Sequence, residues 1–486
     1  MGVVVVQLGQ GGNQQGFSFF NAMANSAPFG GPLEIFFHED VMNAANASKI
    51  WSYGRHYFTR NSGSGNNWAQ GFYSHGPACR VSLLELIRLE VEACDQFCGF
   101  LLMQSMAGGT GAGLGAYLLE ALRDEYPAAC VMSYCIWPFE TGEVVVQNYN
   151  VLLTLSHLHN HADGIIAVKN DALSSICKRS LAIEKPSFTD MNKVGAQSLA
   201  SILLPAYWRP VHTGKGCSSA TQLKSGSSTG WSGSGAGLSV RQLSDLVLNL
   251  CAHPGYRMLA LHSTPQAGLF PTSGRYYFSE AIYTCIRINI WFHEELVDWL
   301  LATLRVLELI SFLADSCRNA RLYDTHMGVS AEAPKADAYD AGKCAGKDSS
   351  QNKESTSKSK NTQGHTAVGS RSVDRSVANL LVLRGWGSET VNVDMFNDLR
   401  MYPLWSVDPI KVAVHEASYG NLAMSAGLLS NSQVAILPAS RVLSRAYAMY
   451  SSRAYIHHYA EHGLEYSVFD AAFASVEDIL ARYLAL

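Results

Sequence analysis

Charge is scarce in this 486-residue chain: Asp, Glu, Lys and Arg fill 16% of positions, and the formal net charge is −4. Such a balance supplies neither a basic field for nucleic acid nor an acidic tail, so no nucleic-acid partner is expected. Long uncharged apolar runs are also missing. The opening MGVVVVQLGQ is too short for a secretory segment, and Leu296 to Ala314 carries Asp298, Arg305 and Glu308, costly in lipid. The first reads as a buried strand, the second as an amphipathic helix, and no membrane span is expected. Cysteine is plentiful, eleven residues between Cys79 and Cys344, but no CxxC pair occurs. Core thiols in a reducing, cytoplasmic compartment are expected rather than a disulfide framework.

The chain is long enough for two or three domains, and 48% of it is hydrophobic. Residues 1–205 alternate apolar runs with helical patterns: strands at Val3 to Leu8, Gly99 to Gln104, Val131 to Trp137 and Gly164 to Val168, helices from Gly113 to Tyr126 and Glu143 to Leu158. Strand-then-helix alternation predicts an α/β fold with a doubly wound, mainly parallel sheet, binding its ligand beyond the carboxyl ends of the strands. Residues 206–236 are dominated by Ser and Gly, and 330–372 are polar with few large apolar side chains. Both read as low-complexity insertions. The second lies within a smaller α+β intermediate unit, 237–405, with strands at Met258 to Leu261 and Asn379 to Leu383. Residues 406–486 read as a strand and helical-hairpin region. Val442, Ala446, Met449 and Tyr450 would form one hairpin face, Phe469, Phe473, Val476 and Ile479 the other.

SMAGGTGAGLG, residues 105–115, places five glycines between a predicted strand and helix. Backbone N–H groups there can approach an anion without interference from Cβ atoms, and the helix N-terminus adds a favourable potential. It is not a P-loop, lacking the lysine, and the GxGxxG spacing with its following acid is absent. Alone, the run is as consistent with turn chemistry as with a ligand site. Two further glycine turns, GQGGNQ at 9–14 and GSGNNWAQG at 63–71, make connection alone a poor explanation.

In these three turns, in this order, the sequence resembles the tubulin family. SGSGNNWAQGFYSHGP, SMAGGTGAGLGA, IWPFETGEVVVQNYN, LSHL and SSRAYIHHY are most similar to its delta branch. The resemblance implies GTP or GDP as the bound nucleotide, with magnesium possible. Gln10 would contact phosphate or its magnesium, and Asn66 the terminal phosphate. Ser105, Ala107, Gly108, Gly109, Thr110, Gly111, Ala112 and Gly113 would hold the phosphates. Glu143 and Gln147 would hold the ribose. Asn170 and Asn192 would read guanine with amides that both donate and accept, and Phe188 would stack on the base. At single positions the asparagines are equally at home as a helix cap and a surface amide.

The same resemblance implies other tubulin subunits or microtubule ends as partners, and a cytoskeletal location at the centriole or basal body, with a role in triplet microtubules and cilia. Asp245, eight residues before His253 and Pro254, falls where the family places an acid that orients water against a neighbouring subunit's nucleotide. A solvated helix acid is the plain alternative. The sequence departs from the family in three places. FFHEDVMNAANASKIWSYG contains no apolar strand and offers Glu39 and Asp40 as the nearest acids, Val240 and Gln242 stand where Asn and Asp are usual, and LARYLAL has no acidic character. Alternatives are a divergent tubulin that binds nucleotide without polymerising, and a dinucleotide-dependent enzyme on a Rossmann-like sheet. His157, His159 and His161 are spaced i,i+2, which turns helical side chains apart and argues against metal.

Overall fold

The computed structural model describes residues 2–25, 57–60, 62–142, 144–209, 243–264, 375–391, 393, 396, 401–406, 408–417 and 424–486. Glu39, Asp40, Glu143, residues 210–236 and 330–372 of the two low-complexity insertions and the helix expected at Leu296 to Ala314 lie outside them, whereas Tyr207–Arg209, at the start of the first insertion, is a strand.

The first half runs β1 (Gly2–Leu8), α1 (Gly9–Asn25), α2 (Gly76–Glu92), β2 (Phe97–Ser105), α3 (Gly115–Glu125) and β3 (Val131–Trp137). Next come α4 (Gln147–His161), β4 (Gly164–Lys169), α5 (Asn170–Ser180), α6 (Phe188–Leu203) and β5 (Tyr207–Arg209). The second half runs α7 (Leu243–Leu250), β6 (Met258–Thr264), β7 (Ser376–Arg384), β8 (Ile410–His415) and β9 (Ser425–Ser432). The chain closes with α8 (Ile436–Ser451), α9 (Ile456–Ala460) and α10 (Tyr466–Leu484). Strands therefore fall where the apolar runs predict them. The helix expected from Glu143 starts at Gln147, and the one expected from Gly113 is preceded by a wider π-type turn at Thr110–Leu114.

The nine strands among the described residues form one sheet in the order β1-β2-β3-β4-β6-β9-β7-β8-β5. From β1 to β6 every neighbour is parallel, whereas β9 runs antiparallel to both β6 and β7. The strands expected in a smaller unit thus continue the first sheet through β6. That strand pairs with β4 along Ile165–Ala167, but with β9 from Leu259 to Thr264.

Helices cover both faces, which is why β1 to β4 read as unbroken apolar runs rather than alternating ones. On one face, α3, α4, α8 and α10 enclose Phe100, Leu102, Leu119, Tyr149, Leu152, Phe469 and Phe473. On the other, α1, α5, α6 and α7 enclose Phe19, Met23, Leu101, Met103, Leu199 and Leu246. The predicted hairpin faces meet: Tyr447 stacks on Phe473 at 4.1 Å between ring centroids, and Tyr450 lies 5.6 Å from Phe469.

Two buried polar residues fasten the elements. The Arg384 guanidinium donates to the carbonyls of Ser201, Leu204 and Pro205 at the end of α6, groups that have no further helical partner. Asn431 donates to the Leu250 and Tyr256 carbonyls at 2.7 and 2.8 Å, and accepts from the Tyr483 hydroxyl at 2.7 Å. The Tyr483 oxygen accepts the Met258 N–H, so α10 is pinned to β6.

Candidate functional site

The three glycine turns converge beyond the carboxyl ends of β1 and β2. Gly9, in the left-handed region at φ +69°, lets β1 pass straight into α1. A Cβ on it would stand 2.8 Å from the Gly111 nitrogen. Gly109 backs onto the 64–67 turn, where a Cβ would lie 2.6 Å from the Ser64 and Asn67 carbonyls. At Gly113 the Trp68 carbonyl is 2.1 Å from that hypothetical atom. Glycine is thus required here by backbone lying against backbone.

Polar side chains lock the same surfaces. Ser64 and Thr110 share a hydroxyl hydrogen bond of 3.0 Å, and the Ala107 N–H donates weakly to Ser105 Oγ at 3.5 Å. Asn150 organises the whole corner. Its Nδ2 donates to the carbonyls of Asn66 and Ala107, each at 2.7 Å, while its Oδ1 accepts from the Trp68 N–H at 3.1 Å and the Tyr459 hydroxyl at 2.6 Å. Asn67 does similar work, donating to the His458 carbonyl at 2.8 Å and accepting from the Ala69 N–H. The SSRAYIHHY segment is therefore a brace behind the glycine turns. Sequence reasoning missed Asn150, whose only signal was an amide at the head of the apolar run VLLTL.

Of the predicted residues, Gln10 is exposed on the first turn of α1. Asn66 has a left-handed backbone at φ +55°, and its Oδ1 lies beside Gly108, 3.9 Å from where a Cβ would stand. Ser105, Ala107, Gly108 and Thr110 are half-buried, while Gly109, Gly111, Ala112 and Gly113 are buried. The Ala112 methyl sits in the apolar core. Gln147 turns inward and donates to the Phe139 carbonyl at 3.0 Å, bracing the 138–142 loop.

That loop is held from outside as well. The Arg441 guanidinium pairs with Glu140, Arg445 donates to the Glu140 carbonyl at 2.5 Å, and the Glu140 N–H donates to Asp171. Phe139 faces Phe188 at 6.3 Å, and Phe188 is 55% exposed on the first turn of α6, which a Ser187–Asp190 capping box begins. Asn170 opens α5, half-buried. Asn192 is buried, and its Oδ1 accepts from Gln15 Nε2 at 2.5 Å. Burial draws the Lys169 ammonium below its ordinary pKa and raises the Asp171 carboxyl. Asp245 stands in the first turn of α7, an element separate from the glycine turns, and its backbone carbonyl accepts from Asn249 Nδ2 at 2.6 Å.

The histidine spacing needs correction. Along α4 the i,i+2 neighbours diverge, but His157 and His161, four apart, stack with centroids 6.0 Å from one another. Their ligating atoms and a Glu120 oxygen all lie within 4.8 Å of each other. Burial holds the His157 pKa down to about 4.

A Gly-rich loop ending a parallel strand and opening a helix, backed by two further turns, defines an anion-binding corner on a doubly wound sheet. Residues 2–178 match the family model described as the Tubulin/FtsZ family, GTPase domain. Over their full lengths, this chain is 31% identical to the tubulin delta chain of Macaca fascicularis and 31% identical to that of Mus musculus. A tubulin beta-2 chain of Suillus bovinus is 40% identical over 147 residues, covering 30% of this chain and 33% of its own. The chain belongs to the tubulin family, and residues 2–178 correspond to the family's GTPase domain, which implies guanine-nucleotide binding. The dinucleotide-dependent alternative falls with that result.

Proposed function

We propose that this chain is a delta-like tubulin that binds GTP or GDP against the three interlocked glycine turns and assists the assembly or stability of centriole and basal-body microtubules. The observation that carries the reading is the convergence of Gly9, Gly109 and Gly113 with Asn66 and Ser105 at one corner, together with full-length likeness to delta chains. The phosphates would be held by the glycine loop from Ser105 to Gly111, since the Gly113 N–H is already given to the Gly109 carbonyl, with Asn66 toward the terminal phosphate. The base would lie toward Phe188, Asn170 and Asn192, and the ribose toward Gln147, with Glu143 as the second ribose contact that the family resemblance implies. Gln10, exposed on the first turn of α1, would hold a magnesium ion there, which would supply neutralisation of the phosphate charge.

Other tubulin subunits or microtubule ends are the partners in this reading, at a cytoskeletal location in the centriole or basal body. Asp245 positions water against the nucleotide of an adjoining subunit, so hydrolysis requires the assembled contact. Purified full-length chain, denatured and analysed by mass spectrometry, is expected to release about one guanine nucleotide per chain; recovery of adenine dinucleotide or of none overturns the proposal. For hydrolysis, Asp245→Ala in the reconstituted complex with its polymer partner is expected to bind GTP normally and to lose turnover. Unchanged turnover removes the catalytic assignment.

A further inference from the structure

We propose that Glu120, His157 and His161 form a binding site for one divalent transition-metal ion of the zinc class. The ligands come from two neighbouring helices. Glu120 projects from α3, and the two imidazoles project from adjacent turns of α4, the i,i+4 spacing that puts both rings on one helix face. Two nitrogens and a carboxylate oxygen are a donor set that zinc accepts as three protein ligands, leaving one position for water. Their ligating atoms fall within 4.8 Å of one another. Tetrahedral ligands at zinc bond lengths sit about 3.3 Å apart, so rotamer adjustments of the half-buried side chains complete the site without moving either helix.

The surroundings favour a bound ion over a packing role alone. Nδ1 of His157 is buried with no hydrogen-bond partner, an arrangement that a packed core ordinarily avoids. Trp68 and Phe72 wall the ring at 5.1 and 5.0 Å, which keeps its surroundings dry. Arg123 is the nearby cation, and it is already engaged. It forms a 2.9 Å ion pair with Asp163 and donates to the His161 carbonyl, steadying the end of α4.

The consequence is a clamp between α3, which continues the glycine loop, and α4, which carries Asn150 two turns before His157. Metal would thus stiffen the helices behind the glycine corner without touching that corner. This does not rest on the nucleotide reading, since the ligands are separate from it.

The test uses full-length chain stripped with EDTA and titrated with ZnCl2, then with CoCl2 as a spectroscopic probe. One equivalent is expected to bind, raising the melting temperature and giving the intense visible bands of low-coordinate cobalt. Glu120→Gln and His161→Asn, both at half-exposed positions, are expected to match the wild-type melting temperature in EDTA and to weaken zinc by at least about tenfold. His159→Asn, on the diverging side of the helix, is expected to bind as wild type. No stoichiometric binding, or equal binding by wild type and Glu120→Gln, overturns the proposal and leaves the three side chains as packing groups.

Discussion

The two ends of the nucleotide corner are built from different materials. At the glycine end, backbone packs on backbone and one buried amide, Asn150, satisfies four groups from three separate segments. At the Phe188 end, half-exposed rings and surface ion pairs position a loop, and the amide expected to read a base is already bonded to Gln15. A triphosphate presents the same oxygens whatever base is attached, so its cradle can be rigid. A base must be accepted and sorted, which suits groups that exchange one partner for another.

The comparison breaks most visibly if the glycine end tolerates change. Gly113→Ala puts a carbon against the Trp68 carbonyl and is expected to cost upwards of about 3 kcal/mol, because backbone must move to admit it. Its nucleotide content, read by chromatography of the denatured protein, should fall to near zero; wild-type content would mean that the corner is softer than its geometry.

Asn150→Leu keeps the volume but strands the Asn66 and Ala107 carbonyls, the Trp68 N–H and the Tyr459 hydroxyl. A loss of about 3–5 kcal/mol is expected, read as a lower denaturant midpoint at unchanged slope. At the other end, Asn192→Ala removes one hydrogen bond and should cost about 1 kcal/mol of stability. Its main effect should be on discrimination, measured by competition of GTP against ATP. Equal discrimination by wild type and variant removes Asn192 from base reading.

Acid sharpens the contrast. Burial, reinforced by the charge of Lys169 at the end of β4, depresses the His262 pKa to about 4. Because the unfolded imidazole takes its proton near 6.5, the unfolded chain binds more protons than the folded one between those values. The contribution of His262 is therefore intact above about pH 6.5 and is lost as the pH falls toward 4. Melting temperatures across that interval should fall less steeply for His262→Phe than for wild type. The smallest effect is expected at the surface: Arg441→Ala should cost no more than about 1 kcal/mol, vanishing in high salt, because the pair with Glu140 is solvated.

Much of the fold was legible because helices covering both faces leave an unmistakable mark, the unbroken runs VVVV, FLLM and MSYCIW. The glycine turns were legible for a related reason, since backbone contact leaves no residue but glycine. Asn150, Asn67 and Gln15 were not. Each matters through partners distant in sequence, and one amide in a helical run looks like any other until the fold brings those partners to it. The histidines failed differently: neighbouring spacings were compared, whereas a helix brings together residues four apart. The continuous sheet was hidden because β6 pairs with a strand far along the chain, Ala260 lying opposite Ser430.

Strand β6 also has a mechanical meaning. Its grip on β9 is long, and the Tyr483–Asn431 pin reinforces that side, while its grip on β4 spans Ile165–Ala167 alone. Hydrogen bonds loaded along a short interface share the force among few bonds. A pull or twist applied to the antiparallel half therefore crosses the sheet through few strand hydrogen bonds, and the packing of α8 and α10 on α4 and the Arg384 bonds to the end of α6 must carry the rest.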